Sequence, residues 1–510
     1  MGLFLRIELS YFCYNTTTMI TRAHVPAVVL TVADKLENAG YEAYLVGGCV
    51  RDLYIGKTPK DWDITTNATP EEIQALYDED ETYCNNEYGT VGVVHDAVED
   101  DTLKVVEVTP FRTESGYTDR RRPDQVIFGV SLEEDLKRRD FTVNAMAWRP
   151  KTEKLVDCFN GQADITKKRL KTVGNPVDRF QEDALRLMRA VRLATELNFA
   201  IESETLAAIA EHHVLLEDIA IERVRDELLR IIASPAPLQG IVMMERLQIL
   251  DYVLPELQAG IGCQQGGIHA FDVYEHNLRT CQAAADKEFS TELRLAALLH
   301  DIGKPATRRA GGKNKQYSFF GHEVVGAKMT RKIMQRLKMP REIAQKVENL
   351  VRWHMFFADP DEITLSAVRR TIVRIGTENI EDLLNLRVCD RIGTGRPKEQ
   401  PFRFRKYKAM VDQALRDPIS VKMLKTNGDH IMATFGEKPG KRLGFVLHAL
   451  LEDVLETPEH NTEAYLDTRT AELLALETSE LEALAAQGKE RQAAEEAAAI
   501  KAIERAHQVG

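Results

Sequence analysis

Between about residue 24 and residue 165, short apolar runs alternate with helix-compatible segments, which predicts an α/β head. Ala43 to Val46 is one such run; it ends in Gly47-Gly48 and leads into a segment carrying Arg51. A turn at Gly56 to Pro59 follows, then Asp61 and Asp63 beside Ile64. From 166 to 262 the pattern turns helical, with apolar residues at three- and four-residue spacing over Ala184 to Leu197 and Val224 to Ile232. Pro235, Pro237 and Pro255 punctuate it, and Gly260-Ile261-Gly262 with Gln264-Gln265-Gly266-Gly267 predicts a linker. A further helical region covers 263–395. Another covers 396–470, broken at Pro401, Pro418 and Pro439. Residues 471–510 are rich in Ala and Glu and read as an exposed helix or frayed tail. No repeat of period 20–50 is evident. Residues 1–23 form an N-terminal extension, and Met19 is the expected natural start because recognisable sequence begins just after it.

Composition narrows the class. A chain of 510 residues that is 44% hydrophobic can bury several cores, and its length suggests three or so domains. The seven cysteines (Cys13, Cys49, Cys84, Cys158, Cys263, Cys281 and Cys389) are scattered with no CxxC pair. That argues for reduced thiols, against a disulfide frame or a zinc ribbon, and for a cytoplasmic location. No apolar run reaches the length of a membrane span, and Arg6 and Glu8 break any signal-peptide core. The net charge of −12 is unusual for a nucleic-acid binder, yet its distribution matters more than its sum. Basic clusters occur at Arg120–Arg122, Lys137–Arg139, Lys167–Arg169 and Arg369–Arg370. Phe402 to Lys408 interleaves aromatics with positive charge, as an RNA-stacking surface or an ordinary solvated helix would.

The stretch from Leu45 to Asp63 carries the first chemistry. Two glycines after a strand let the backbone approach a bulky anion, and the helix start behind them offers free N–H groups to phosphate. Asp61 and Asp63, two residues apart, would project from one face of a strand. Hard oxygen ligands placed so suit Mg²⁺, and a pair of such ions can clamp an in-line phosphoryl transfer. A Rossmann site is a poorer reading, because the third glycine and the distal acidic residue are missing.

This stretch resembles the first motif of the class II tRNA nucleotidyltransferases and bacterial poly(A) polymerases, a branch of the DNA polymerase β superfamily. The resemblance covers roughly residues 24–260. It implies an α+β chain: a polymerase-β-like head over 24–165, a helical neck over 166–262 for base recognition and RNA binding, then an HD body and a tail. It also implies that Glu107, in Val-Glu-Val-Thr-Pro-Phe-Arg, joins Asp61 and Asp63 as a third catalytic carboxylate at Mg²⁺. Lys137 to Met146 looks like the family's second motif, which places Arg139, Asp140 and Asn144 at the nucleotide together with Gly47, Gly48 and Arg51. Glu182 to Arg192 is similar to the base-reading helix, and Glu222 to Leu228 resembles the last neck motif.

On physical grounds, Asp183, Arg186, Arg189 and Arg192 fall at three-residue steps and form an oblique helical stripe. An Asp beside an Arg offers an acceptor next to a donor fork. Cytosine and adenine both present an amino donor beside a ring-nitrogen acceptor; guanine and uracil present the reverse. The Asp183–Arg186 pair can therefore accept C and A without a template, leaving Arg189 and Arg192 free to hold triphosphate. The competing reading is a set of surface ion pairs.

Leu298 to Lys304 resembles the signature of the HD phosphohydrolase superfamily. The order His276, His300, Asp301, Asp390 implies a metal site over 263–395, with His322 and His354 as further ligands that could support two ions. Histidine with carboxylate suits a transition metal such as Ni, Co, Mn or Fe. The expected function is template-independent addition or repair of the tRNA 3′ CCA from CTP and ATP, with residues 396–470 contacting tRNA and the protein a monomer or homodimer. Three alternatives stay open: an A-adding enzyme, a poly(A) polymerase, or an HD phosphohydrolase with a nucleotide-binding head.

Overall fold

The computed structural model describes residues 19–78, 80–84, 88–95, 98–116, 125–266, 269–310, 316–356, 363–395, 398–481 and 484. The cluster Arg120–Arg122, residues 1–18 and nearly all of the Ala/Glu-rich segment beyond 481 lie outside the described residues. The chain divides into two units. One holds residues up to Ile231 with Gln239–Val253, and the other holds Ile232–Leu238 with residues from Leu254 onward.

The first unit begins with α1 (Ala27–Asn38), the strand β1 (Ala43–Val46) and α2 (Gly48–Tyr54). Every residue of β1 is buried, as its unbroken apolar run requires of a central strand. β2 (Asp63–Thr66), α3 (Pro70–Gln74), β3 (Thr82–Cys84), β4 (Val91–Val94) and β5 (Val105–Pro110) follow. β6 (Arg112–Ser115) and β7 (Gln125–Phe128) form a separate hairpin before α4 (Leu132–Lys137). That helix is started by the Ser131/Glu134 capping box. β8 (Ala147–Arg149), β9 (Lys154–Val156) and α5 (Gly161–Thr166) complete the head. Its seven strands run in the order β3-β4-β5-β2-β1-β8-β9. Only β2 and β5 are parallel, in a register that sets Asp63 beside Glu107. Residues in register on neighbouring strands share a face, so both carboxylates project to the same side.

The neck residues form β10 (Arg169–Leu170), α6 (Pro176–Glu182), α7 (Leu185–Leu197), β11 (Ala200–Ile201), α8 (Ser203–His212), α9 (Ile221–Ala233), α10 (Pro237–Arg246) and α11 (Leu250–Val253). The expected continuous stripe is interrupted. Asp183 lies between α6 and α7 with extended backbone (φ −143°, ψ 103°), and its Oδ1 accepts from Leu185 N at 3.1 Å. A short acidic side chain favours that capping position over a helix interior, so the stripe proper starts at Arg186.

The second unit holds α12 (Val273–Asp286), α13 (Thr291–Leu299), α14 (Lys304–Thr307), the hairpin β12 (Arg309–Ala310) with β13 (Tyr317–Ser318), α15 (His322–Arg336), α16 (Arg341–Trp353), α17 (Leu365–Ile375) and α18 (Ile380–Gly393). α12 packs on α13 and α18, and α15 packs on α16. The predicted linker is partly fixed: Gln265 is buried, and its amide donates to the Phe271 and Asp272 carbonyls. The tail comprises α19 (Phe402–Ala414), α20 (Gly428–Phe435), α21 (Lys441–Glu456) and α22 (Glu463–Leu474).

The aromatic–basic run opens α19 and is amphipathic. Phe404 and Tyr407 are core residues, whereas Phe402 is exposed along with the basic side chains. Of these three aromatics only Phe402 keeps an exposed ring. The cluster Arg369–Arg370 is engaged inside the tail: Arg369 donates to Leu455 O, Glu456 O and Asp417, and Arg370 pairs with Glu452 and Glu456.

Candidate active site

Gly47 caps α2 at φ +82°, in a region where side chains are strained, and a Cβ there would lie 3.3 Å from Arg139 Nη1 and 3.7 Å from Asp63 Oδ2. The glycine pair therefore forms one wall of a cavity of about 300 Å³. Its other lining residues are Asp63, Arg138, Arg139, Asp140, Asn144, Asp183, Leu185, Arg186, Arg189 and Arg223. Nine of the predicted nucleotide or metal residues thus converge from four separate stretches of the chain.

The carboxylate end of the cavity is crowded. Burial pushes the Asp63 carboxyl up to about 6, and the neighbouring Glu107 and Asp61 carboxylates add to this against the pull of Arg139. Such mutual repulsion suits a site for a divalent cation. β2 begins at Asp63, so Asp61 sits in the bend before it and not on the strand, which corrects the expectation of two carboxylates on one strand face. Glu107 supplies the in-register neighbour instead.

The cationic side is held by ion pairs. Arg51 Nη1 donates to Asn144 Oδ1 at 2.6 Å, and Asn144 Nδ2 donates to Asp140 Oδ1 at 3.2 Å. Arg189 grips Asp140 Oδ2 through Nε (2.9 Å) and Nη2 (2.6 Å). Burial opposes ionisation of Asp140, yet the Arg189 guanidinium holds its carboxyl well below the usual range. Asp183 is forked by Arg223 at 3.2 and 2.8 Å. Arg186 Nη1 donates to Glu182 (2.6 Å) and Arg179 O (3.0 Å), and Nη2 to Arg138 O (3.1 Å). These contacts leave Arg186 its Nε–H and one Nη2–H, with a lone pair on Asp183 Oδ2, as the donor and acceptor that can face a base.

Arg192 is not free for triphosphate. It is only 3% exposed, its Nε donates to Glu227 at 2.6 Å and its Nη1 to Glu196 at 2.8 Å. Two turns into α7, three-residue steps have carried it from the pocket face into the core. Arg51 likewise donates to Asn144 and does not line the cavity. Sequence reasoning passed over Arg138, Leu185 and Arg223 as site residues. All three lie inside stretches named by the resemblance, and Arg138, two residues from Asp140, is the one whose neighbourhood gave a signal.

The second unit gathers a different set. His276 comes from α12, His300 and Asp301 follow the end of α13, His322 opens α15, His354 ends α16 and Asp390 lies on α18. His276, His300 and Asp390 form one group with ligand atoms within 4.8 Å of one another; Asp301, His322 and His354 form a second. Asp301 joins them: Oδ2 lies 3.3 Å from His276 Nε2 and 3.2 Å from His300 Nε2, and Oδ1 lies 3.3 Å from His322 Nε2 and 3.6 Å from His354 Nε2. The Nδ1 atoms of His300, His322 and His354 lie 2.7–2.8 Å from the carbonyls three residues back, which directs each Nε2 to the centre. Gly303 allows this closeness, since a Cβ there would meet His322 O at 2.2 Å. Burial disfavours a charged His276, but hydrogen bonding to Asp301 and Asp390 raises it to about 9, so positive charge is favoured there. Lys304 Nζ, 2.5 Å from Asp301 Oδ2 and 2.6 Å from Gln265 Oε1, adds a cation that the motif contained and the site assignment omitted.

A family model described as the poly A polymerase head domain matches residues 43–171. A "probable RNA and SrmB- binding site of polymerase A" matches 198–261, and an HD domain matches 268–391. The A-adding tRNA nucleotidyltransferase of Deinococcus radiodurans is 38% identical over 339 residues, 64% of this chain and 76% of that protein. The chain belongs to the tRNA nucleotidyltransferase and poly(A) polymerase family. The CCA-adding enzyme of Levilactobacillus brevis is 50% identical over 210 residues, 41% of this chain and 51% of the relative. The chain thus spans about half the length of that relative. A crystal structure of the Bacillus stearothermophilus CCA-adding enzyme in complex with CTP is similar at a TM-score of 0.64 and 27% identity, covering 88% of this chain and 98% of that one. Head and HD domains of this family imply dependence on divalent metal. Among the described residues no helix is long and apolar enough to cross a membrane.

Proposed function

We propose that this chain completes or repairs the 3′ CCA of tRNA by template-independent nucleotidyl transfer from CTP and ATP. The observation that carries the reading is one cavity lined at one end by Asp63 and at the other by Asp183 and Arg186. A nucleoside triphosphate with its base on Asp183 and Arg186 meets Arg189, Arg138 and Arg139 along its phosphates. The tRNA 3′-hydroxyl oxygen forms a bond to the α-phosphorus as the bond to pyrophosphate breaks. Mg²⁺ held by Asp61, Asp63 and Glu107 would acidify that hydroxyl and stabilise the leaving pyrophosphate. Arg189 and Arg223 keep Asp140 and Asp183 ionised and oriented before substrate arrives.

The Deinococcus relative favours A addition as a second reading, since its match extends further along both chains. Incubation with tRNA lacking its 3′ end, given CTP and ATP separately and together, separates the two. CCA addition extends with CTP alone and completes only with both. A addition extends only tRNA already ending in CC, and poly(A) synthesis runs beyond one adenosine.

The buried histidines and carboxylates favour an additional phosphohydrolase activity in the body, on 2′,3′-cyclic or 3′ phosphates of RNA ends. His276, His300 and Asp390 with Asp301 would hold one transition-metal ion, and His322 and His354 with Asp301 a second. Release of inorganic phosphate from 3′-phosphorylated RNA, lost on chelation and restored by metal, tests it.

A further inference from the structure

Asp135 lies on α4 and is not itself part of the cavity lining. It is fully buried, and five donors surround its two oxygens. Oδ1 accepts from Arg138 Nε (3.0 Å), Arg138 Nη2 (2.7 Å) and Arg112 N (3.4 Å); Oδ2 accepts from Arg139 Nη2 (3.2 Å) and Thr65 Oγ1 (3.4 Å). Burial disfavours its charge, yet Arg139 and Arg138 keep it below its ordinary value. A buried carboxylate in this setting is stable only while both guanidinium groups stay in place, and they in turn are restrained by it.

Both arginines are at the cavity. Arg139 Nη1 stands beside Gly47, and its Nε is buried with no hydrogen-bond partner among the described residues. Arg138 also pairs with Glu114 at 3.1 Å, and Glu114 binds Arg112 at 2.8 Å, so the base of the β6–β7 hairpin joins the same network. The carbonyl of Arg138 accepts from Arg186. One buried carboxylate thus holds two guanidinium groups of the cavity.

We propose that Asp135 is a positioning residue for nucleotide binding, holding Arg138 and Arg139 where they meet the triphosphate of either CTP or ATP. This rests on the nucleotidyl-transfer reading of the cavity. Asp135 touches no base-reading side chain, so its loss acts on both nucleotides alike.

The test is steady-state incorporation by the full chain on tRNA lacking its 3′ end, at saturating tRNA, with CTP or ATP varied for wild type, Asp135→Asn and Asp135→Glu. The expected result for Asp135→Asn is a rise in KM of about tenfold or more for both nucleotides. Its kcat and its preference for C and A over U and G should change by less than about twofold, well under that binding effect. In an Arg139→Gln background the same replacement should add little, because the two act through one contact. Should Asp135→Asn fail to fold, Asp135→Glu, which keeps the charge and displaces it by one methylene, is expected to raise both KM values in the same proportion. An unchanged KM in a folded variant, or a change in base preference with KM intact, overturns the proposal. No incorporation by the wild type with any nucleotide would instead overturn the underlying reading of the cavity.

Discussion

In the first unit, the charged side chains of the cavity are held by ion pairs: Asp140 by Arg189, Asp183 by Arg223, Arg186 by Glu182. Each of those arginines keeps part of its surface open, with side-chain exposures of 34%, 25% and 11%. In the body, His276, His300, Asp301, His322 and His354 are buried, and three of the imidazoles are anchored on main-chain carbonyls so that their free nitrogens converge. Ion pairs between partly open side chains can lend a donor or acceptor to a visiting substrate and recover their partners when it leaves. A buried ring of imidazoles anchored to backbone suits an ion that stays. The two units therefore carry similar carboxylates in settings fit for transient and for resident ligands.

The sharpest way to break that contrast is at Asp63. Asp63→Ala should lower incorporation of CTP and ATP by roughly 10³-fold or more, since it removes a carboxylate from the metal end of the cavity. Bound transition metal in the body should be unchanged by elemental analysis. If metal content and incorporation fall together, the two sites are not independent and the contrast fails.

The double replacement His300→Ala, Asp301→Ala approaches from the other side. It removes a histidine from one group and the carboxylate that joins both. Purified wild type should carry about one or two transition-metal ions, one per ligand group, and the variant none. Chelation of the wild type should lower its unfolding free energy by about 4 kcal/mol when the reference metal concentration is a thousandfold above Kd. Nucleotide addition to intact acceptor ends should persist. A wild type that takes up no transition metal under any reconstitution removes the resident-ion half of the comparison.

Arg192 tests where the exchangeable set ends. It and Glu227 are both buried, so Arg192→Ala leaves a carboxylate whose remaining cation among the described residues is Arg189, 3.9 Å away. Loss of one member of such a pair should cost about 3 kcal/mol of stability or more, read as a shift in the urea midpoint. KM for nucleotides in the folded fraction should be unchanged. A large KM effect without destabilisation would return Arg192 to the substrate.

How these roles were legible differs by residue. Short-range pattern sufficed for β1, α2 and the Gly47–Gly48 corner, because strand burial and glycine geometry are local properties. The His and Asp residues expected as ligands of the body lie in two neighbouring groups, each drawn from more than one helix or helix end. The misplacements were of a different kind. Asp183 leaves the helical stripe because its extended backbone ends α6 and its carboxylate accepts from Leu185 N, and Arg192 turns inward because Glu227 on α9 meets it there. Phe404 and Tyr407 join the core because α19 has a buried face. Partners from distant segments decide such outcomes, and spacing along a single segment does not contain them. Asp135, just ahead of the Lys137–Met146 motif and outside it, was invisible for the same reason: its meaning lies in Arg138 and Arg139 turning back on it.

The smallest expected effect is the most specific. In the present arrangement Glu182, Arg179 O and Arg138 O take three of the N–H groups of Arg186, and the remaining two are those that can read a base edge. Arg186→Ala should therefore change selectivity more than speed. Loss of a charge-assisted contact is worth about 1.5–3 kcal/mol, so discrimination of ATP against GTP should narrow by roughly tenfold to a hundredfold. Single-nucleotide competition on tRNA ending in CC measures it. Replacing Glu182 by Gln weakens the clamp on the same guanidinium while sparing its free edge, and should narrow the ratio by less. Slowing of every nucleotide by the same factor would place Arg186 on the phosphates, with Arg138 and Arg139, and leave Asp183 with Arg223 as the only charged pair at the base.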